Sequence, residues 1–205
     1  MNKTVHRFYI GSFFIIGIAA TVLLALYGFH YYTSQVEERY FQPHHLLLKP
    51  SGIVGHGIGI LGSLMMIVGV AFYMIRKRGR RFHSIGILKY WLEFHIFLCT
   101  LGPVFILYHT AFKFGGIVSI SFWCMVAVVL SGVIGRFIYL QIPHSISGQE
   151  LSMKTVISRR IGLLRTMQKI FRYWHIIHLP FAIVMFVIMF VHIAVTIAFG
   201  SRWIF

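Results

Sequence analysis

Five long apolar runs, separated by short polar and basic stretches, organise this chain. Each run is long enough for an α-helix to cross a hydrocarbon layer about 30 Å thick. The pattern therefore predicts an all-α membrane protein built as a helical bundle. Its five transmembrane helices are expected at about residues 8–30, 52–75, 88–112, 117–138 and 173–199.

The segment before the last run has a different pattern. Residues 156–171 alternate Arg and Lys with Ile, Leu and Met at helical spacing, which predicts an amphipathic helix at the cytoplasmic membrane surface. The first run is too long for the core of a signal peptide, so we expect it to be a retained span. We interpret residues 1–205 as a single membrane domain.

Composition agrees with this class. The chain is 58% hydrophobic and has only four acidic residues, a balance that is unusual for a soluble domain. Its formal net charge is +15, but the basic residues lie between the apolar runs. They are therefore interpreted as topology signals and contacts to lipid headgroups, and a nucleic-acid partner is not expected.

The basic residues also predict the orientation. Fifteen of the 19 Lys and Arg residues lie in the N-terminal segment, in 76–89 and in 136–172, and four lie in the other connections or at the C-terminus. By the positive-inside rule the N-terminus is cytoplasmic and the C-terminus is outside. We expect a multi-pass protein of the inner, cytoplasmic membrane of a prokaryote.

Two histidine pairs with equal spacing are the main chemical signal. His95 and His109 lie in the third run, and His178 and His192 lie in the fifth, with 14 residues between the members of each pair. On an α-helix this spacing gives about 21 Å of rise and an angular offset of about 40°, so both imidazoles share one face.

Equal depth pairs His95 with His178 on the cytoplasmic side and His109 with His192 on the outer side, because both spans run from the cytoplasm to the exterior. Ionisable groups within lipid are expensive unless they have partners. Two bis-imidazole sites at different depths would suit two b haems, since haem iron takes axial imidazoles and is held between helices. The alternative is that each histidine forms a structural hydrogen bond between helices.

Two further residues have open roles. Gly102 lies midway between His95 and His109, where a missing side chain would admit a porphyrin or allow close helix packing. His56 begins the second span, in a glycine-rich run that fits G-x-G-x-x-G but follows no strand. It could ligate a haem, bind a haem propionate or a quinone carbonyl, or form a structural hydrogen bond.

Three residues near the predicted cytoplasmic-side haem also have more than one possible role. His175 competes with His178 as a ligand, but its offset from His192 is about 100° on a helix, which favours His178. Arg136 could bind a haem propionate or extend its side chain to the interface. Glu93 is expected to pair with Lys89, and the alternative is a proton relay to a quinone.

The four histidines, with the stretch Trp174-His175-Ile176-Ile177-His178-Leu179-Pro180, resemble di-haem b-type membrane cytochromes. These include the cytochrome b of quinol oxidoreductases and the membrane domains of ferric reductases and NADPH oxidases. The resemblance covers roughly residues 52–199. It implies two haem b groups whose iron is held axially by His95, His109, His178 and His192.

The function that follows is electron transport across the membrane, between a quinone pool (menaquinone or ubiquinone) and a partner redox subunit. The chain would then be an electron-transfer subunit of a respiratory oxidoreductase complex. Since these residues contain no flavin, nucleotide or iron–sulfur motif, partners of iron–sulfur, flavin or multihaem cytochrome type are expected. The alternatives are a small transporter or membrane scaffold without haem, and a ferric-reductase-like protein with a separate electron donor.

Overall fold

The structure is a computed structural model that describes residues 3–79, 86–141 and 153–200. Within these ranges the side chains of Lys3, residues 137–141, residues 153–172, His175 and Gly200 are not described. The described ranges contain helices, turns and connecting segments, and no strand.

Five helices are long and apolar enough to cross a membrane, which confirms the predicted all-α, five-span membrane fold. These helices are α1, α4, α5, α6 and α7. In chain order the elements are α1 Lys3–Tyr27, α2 Phe29–Thr33, a 3-10 turn Glu38–Phe41, α3 His45–Leu48, α4 Ile53–Arg78, α5 Leu88–His109, α6 Ile117–Gln141 and α7 Met153–Gly200.

Two spans end three residues earlier than hydropathy predicts. A turn at Gly28 separates α1, which ends at Tyr27, from the short α2. Helix α5 ends at His109 because Ala111 and Phe112 take positive φ values of 49° and 59°, outside the right-handed helical region. Apolar composition continues past both ends, so hydropathy alone does not locate them.

Helix α7 is continuous over 48 residues and contains both the amphipathic segment and the fifth span. Helical structure at 156–171 is therefore confirmed, although the sequence pattern had predicted a helix separate from the span. The position of this segment at the membrane surface stays a prediction. Pro180 lies inside α7, where it cannot donate to the carbonyl of Ile176.

The chain divides into two compact units, Met1–Phe114 and Gly115–Phe205. In the first unit, α4 and α5 pack along their lengths, and α1 packs against the beginning of α5. Phe13 of α1 stacks on Phe97 of α5 with ring centroids 4.4 Å apart. The single membrane domain over residues 1–205 stays a prediction.

The second unit is formed by α6 and α7. Ser121 Oγ on α6 donates a hydrogen bond of 3.0 Å to the carbonyl oxygen of Met185 on α7. Met125, Met185 and Met189 are buried in this unit, while Trp123 and Phe190 are exposed. Large exposed apolar side chains on long helices are what lipid contact requires.

Candidate functional site

Both histidines of α5 are anchored to α4 through Nδ1. His95 Nδ1 lies 3.1 Å from the carbonyl oxygen of Gly69, and His109 Nδ1 lies 2.8 Å from that of Gly55. Because a carbonyl oxygen can only accept, Nδ1 carries the hydrogen and donates it in both rings. In a neutral imidazole the lone pair is then on Nε2.

The two acceptors repeat along α4 with the spacing that the histidines have along α5. Gly55 and Gly69 are 14 residues apart, and Gly62 lies midway between them. At this midpoint α4 meets Gly102 of α5: a Cβ on Gly62 or on Gly102 would lie 2.8 Å from the carbonyl oxygen of the other. The three contacts together fix one antiparallel register between the helices.

Glycine makes this register possible because it lets the two backbones come close. A Cβ at Gly59 would lie 2.6 Å from His109 Nδ1, and a Cβ at Gly69 would lie 3.1 Å from Cys99 Sγ. The run from Gly57 to Gly62, which fits G-x-G-x-x-G, lies inside α4. Its buried glycines serve helix packing, whereas Gly57 faces open space.

The contacts of Gly102 correspond to the close-packing alternative. Besides Gly62, a Cβ at this position would meet Met66 Cγ at 2.8 Å. The glycine is buried against α4. Space for a porphyrin at this position stays a prediction.

Aromatic rings constrain the imidazoles of α5. Tyr73 of α4 stacks on His95 with ring centroids 5.2 Å apart and planes 28° apart. His56 lies beside His109, with centroids 6.3 Å apart and planes inclined at 61°. The structure therefore brings His56 to the level of His109, the outer predicted ligand.

In the second unit, His178 is held by Ser131 of α6. Its Nδ1 lies 2.8 Å from Ser131 Oγ, and the same hydroxyl donates to the carbonyl oxygen of Val128 at 2.9 Å. A hydroxyl has one hydrogen to donate, so Ser131 Oγ accepts from His178 Nδ1 when it donates to Val128, and the ring then has the same tautomer as the two histidines of α5. When Ser131 Oγ donates to His178 instead, the ring has the other tautomer.

Trp174 completes this arrangement. Its indole stacks on His178 with centroids 4.6 Å apart, and its Nε1 donates to the carbonyl oxygen of Ser131 at 2.8 Å. A Cβ at Gly135 would lie 2.7 Å from Trp174 Nε1, so glycine makes room for the indole. Ser131 of α6 thus positions both Trp174 and His178.

The remaining predicted residues lie on α6 and α7. His192 is half-buried, and its carbonyl oxygen accepts a hydrogen bond of 2.8 Å from Thr196 Oγ1. Arg136 is half-buried on α6. The side chain of His175 lies outside the described residues, so its competition with His178 stays open.

A polar cluster lies at the beginning of α5. Glu93 is 4% exposed, and its Oε1 lies 4.0 Å from Lys89 Nζ, which confirms the expected pairing. His6 Nε2 lies 3.6 Å from the same oxygen. The packing of α1 on α5 thus places His6, from the first span, against the carboxylate.

The Nδ1 hydrogen bonds of three histidines fit the chemistry of axial haem ligation. A metal-bound histidine usually donates its other ring N–H to an acceptor, which fixes the ring and raises the basicity of the ligating nitrogen. His95 and His109 donate from Nδ1 to backbone carbonyls, and His178 Nδ1 is hydrogen-bonded to Ser131 Oγ. Separately, within the described ranges no group of three or more His, Cys, Asp or Glu residues could hold a bare metal ion.

Sequence reasoning missed the acceptors of these histidines. Backbone carbonyls carry no residue-type signal, and Ser131 resembles any other serine in an apolar helix. The repeat Gly55, Gly62 and Gly69 was a usable signal, because its spacing equals that of the histidine pair. Pairing the two repeats would have predicted the helix register.

No protein-family model, curated protein or solved structure matches the chain.

Proposed function

We propose that this protein is a di-haem b-type cytochrome subunit that carries electrons across the membrane. His95 and His178 would hold the cytoplasmic-side haem, and His109 and His192 the outer haem. When bound, haem supplies one-electron transfer, while the protein contributes the ligands, their spacing and an apolar surrounding.

One observation carries this proposal: three of the four candidate ligands are hydrogen-bonded through Nδ1 to a partner on a neighbouring helix. In His95 and His109 the carbonyl acceptors select the tautomer whose lone pair is on Nε2, which leaves this nitrogen able to ligate iron. Stacking by Tyr73 on one ring and by Trp174 on another further restricts rotation.

The wider assignment is part of the same proposal. The partners are a menaquinone or ubiquinone pool and a redox subunit of iron–sulfur, flavin or multihaem type. The location is the inner membrane of a prokaryote, with the N-terminus cytoplasmic. His56 and Arg136 are the candidates for contacts to a propionate or a quinone carbonyl.

The same hydrogen bonds favour a second candidate, a membrane scaffold without haem. The contacts of His95 with Gly69 and of His109 with Gly55 join two helices, as structural hydrogen bonds would. A small transporter belongs to this alternative. A ferric-reductase-like protein would contain the same haem sites but take electrons from a separate donor.

Reduced-minus-oxidised spectra of the purified wild type and four single His→Ala variants test the proposal. His95→Ala and His178→Ala should lose the same spectral component, and His109→Ala and His192→Ala should lose the other. His30→Ala, at an exposed position, is the matched control and should keep both. A wild type without b-type bands would favour the scaffold, and a shared loss in His95→Ala and His192→Ala would contradict the depth pairing.

A further inference from the structure

A buried polar cluster lies in the connection between α1 and α4, away from the histidine anchors. Tyr31 is 2% exposed and Arg39 is 6% exposed. The Tyr31 ring centroid lies 5.4 Å from that of Tyr32 and 5.8 Å from that of His45. The Arg39 guanidinium carbon lies 5.5 Å from the Tyr31 centroid, so the four side chains form one group, here called the tyrosine–arginine cluster.

Arg39 binds backbone carbonyls, and no acidic side chain of the described residues forms an ion pair with it. Its guanidinium donates to the carbonyl oxygens of Ser34, Tyr32 and Ala111. Within the described part of the chain, neither ion pair within 4.0 Å involves Arg39. Three bonds to neutral carbonyls engage three of the five N–H groups and leave the positive charge uncompensated.

The neighbouring side chains hold further polar atoms without partners. The hydroxyls of Tyr31 and Tyr32 and Nδ1 of His45 are buried and have no hydrogen-bond partner. Burying a polar atom without a partner is unfavourable, and such atoms are rare in native proteins. The group that contains the buried cation thus also holds three polar atoms that an acceptor-rich ligand would satisfy.

The phenols are donors in this setting. Burial raises the pKa of Tyr32 from 10.0 to about 12 and also raises the pKa of Tyr31. Both rings therefore stay protonated at neutral pH. A ligand for this cluster must offer acceptor oxygens and a negative charge.

We propose that the tyrosine–arginine cluster binds a carboxylate. A carboxylate has two acceptor oxygens and a single negative charge, which match one guanidinium and a pair of phenol hydroxyls. A quinone carbonyl would leave the cation uncompensated, and a phosphate monoester would bring close to two negative charges to one cation.

The carboxylate has two conceivable sources. Arg39 binds the carbonyl oxygen of Ala111, two residues after His109, so the cluster lies at the same end of α5 as the outer candidate ligand. The first source is a propionate of a haem at His109, and this source rests on the proposed function. The second is a free carboxylate from solution, which does not depend on haem.

The double variant Tyr31→Phe/Tyr32→Phe tests the site because it removes two hydroxyls and keeps Arg39. If nothing binds, removal of hydroxyls without partners leaves the melting temperature unchanged or raises it. If a carboxylate binds, the melting temperature of the variant should fall below that of the wild type, because the variant loses the stabilisation that the ligand gives. Tyr40→Phe is the matched control, since Tyr40 is 73% exposed and should not respond.

Two measurements on the full chain separate the sources. For a free carboxylate, sodium acetate should raise the melting temperature of the wild type above its value in sodium chloride of equal ionic strength, and should not do so in the double variant. For a propionate, the wild type should bind haem at least about ten-fold more tightly than haem dimethyl ester, and the double variant should lose this preference.

The outcomes also separate this proposal from the proposed function. Absence of any haem binding would overturn the proposed function and the propionate source, while the acetate response would still decide whether the site exists. No acetate response and no preference for free haem acids, together with an unchanged or more stable double variant, would overturn the carboxylate site.

Discussion

Gly62 and Gly102 meet so closely that a Cβ on either residue would lie 2.8 Å from the carbonyl oxygen of the other. The contact lies seven residues from each histidine anchor on α5. The close approach at the midpoint therefore determines whether both imidazoles reach the glycine carbonyls of α4. Helix packing and histidine orientation depend on the same glycines.

Gly62→Ala should weaken both anchors. The added methyl group meets backbone atoms, so the helices must separate or shift, at a cost of about 1–3 kcal/mol for overpacking. We expect a lower melting temperature and a reduced content of both haems in the purified protein.

Gly57→Ala is the matched control on the same helix, because nothing lies within 4 Å of a Cβ at Gly57. It should keep wild-type stability and haem content. Helix propensity favours Ala over Gly in both variants, so a loss confined to Gly62→Ala must come from the contact with Gly102. Equal losses in the two variants would contradict this account.

Under the proposed function, Ser131→Ala should act on the cytoplasmic-side haem alone. It removes the hydrogen-bond partner of His178 Nδ1, and loss of such an outer partner typically reduces metal affinity roughly ten- to hundred-fold. We expect a shifted midpoint potential and weaker retention of the component that His178→Ala removes.

Ser121→Ala separates this effect from general loosening of the second unit. It breaks a hydrogen bond between the same two helices, with Met185, worth about 1 kcal/mol. Both serine variants should lose similar thermal stability, but the redox spectrum should change only in Ser131→Ala. Identical haem midpoint potentials in the two variants would show that Ser131 contributes only to helix packing.

The sequence predicted the five spans because helix length and hydropathy are properties of a run of residues. It did not predict the ends at Tyr27 and His109, which are determined by a turn at Gly28 and by positive φ values at Ala111 and Phe112. Such local backbone geometry leaves apolar composition unchanged.

The candidate site was predicted as a set of histidines, and the structure adds what holds them. A carbonyl of Gly55 or Gly69 becomes an acceptor only once the register of two helices is fixed. Likewise, His6 and Glu93 are 87 residues apart in sequence, and only the packing of α1 on α5 brings them together. Partners distant in sequence cannot be read from spacing within one helix.

Alkaline pH should destabilise the protein through Tyr32. Its folded-state pKa is raised from 10.0 to about 12, so the unfolded state loses a proton in this range that the folded state keeps. The free energy of unfolding should therefore fall as the pH rises from about 10 towards 12.

Melting temperatures of the wild type and Tyr32→Phe at about pH 9 to 11 measure this contribution. The variant should lose less stability over the range than the wild type, while Tyr40→Phe should follow the wild type because its ring is exposed. Parallel curves for the wild type and Tyr32→Phe would contradict the assignment.

Fusion reporters test the orientation. A green fluorescent protein joined after His83 should fluoresce, and alkaline phosphatase joined after Phe205 should be active, because basic residues concentrate in the predicted cytoplasmic connections. Reports of the same side from both positions would contradict the odd number of spans, α5, α6 and α7, between residues 83 and 205.

The haem content of the purified full chain tests the central claim most directly. A pyridine haemochrome assay, normalised to protein by amino-acid analysis, should return two b-type haems per polypeptide, because the proposed function assigns four histidines to two haem sites. A ratio of zero in protein purified from haem-replete cells would contradict the account.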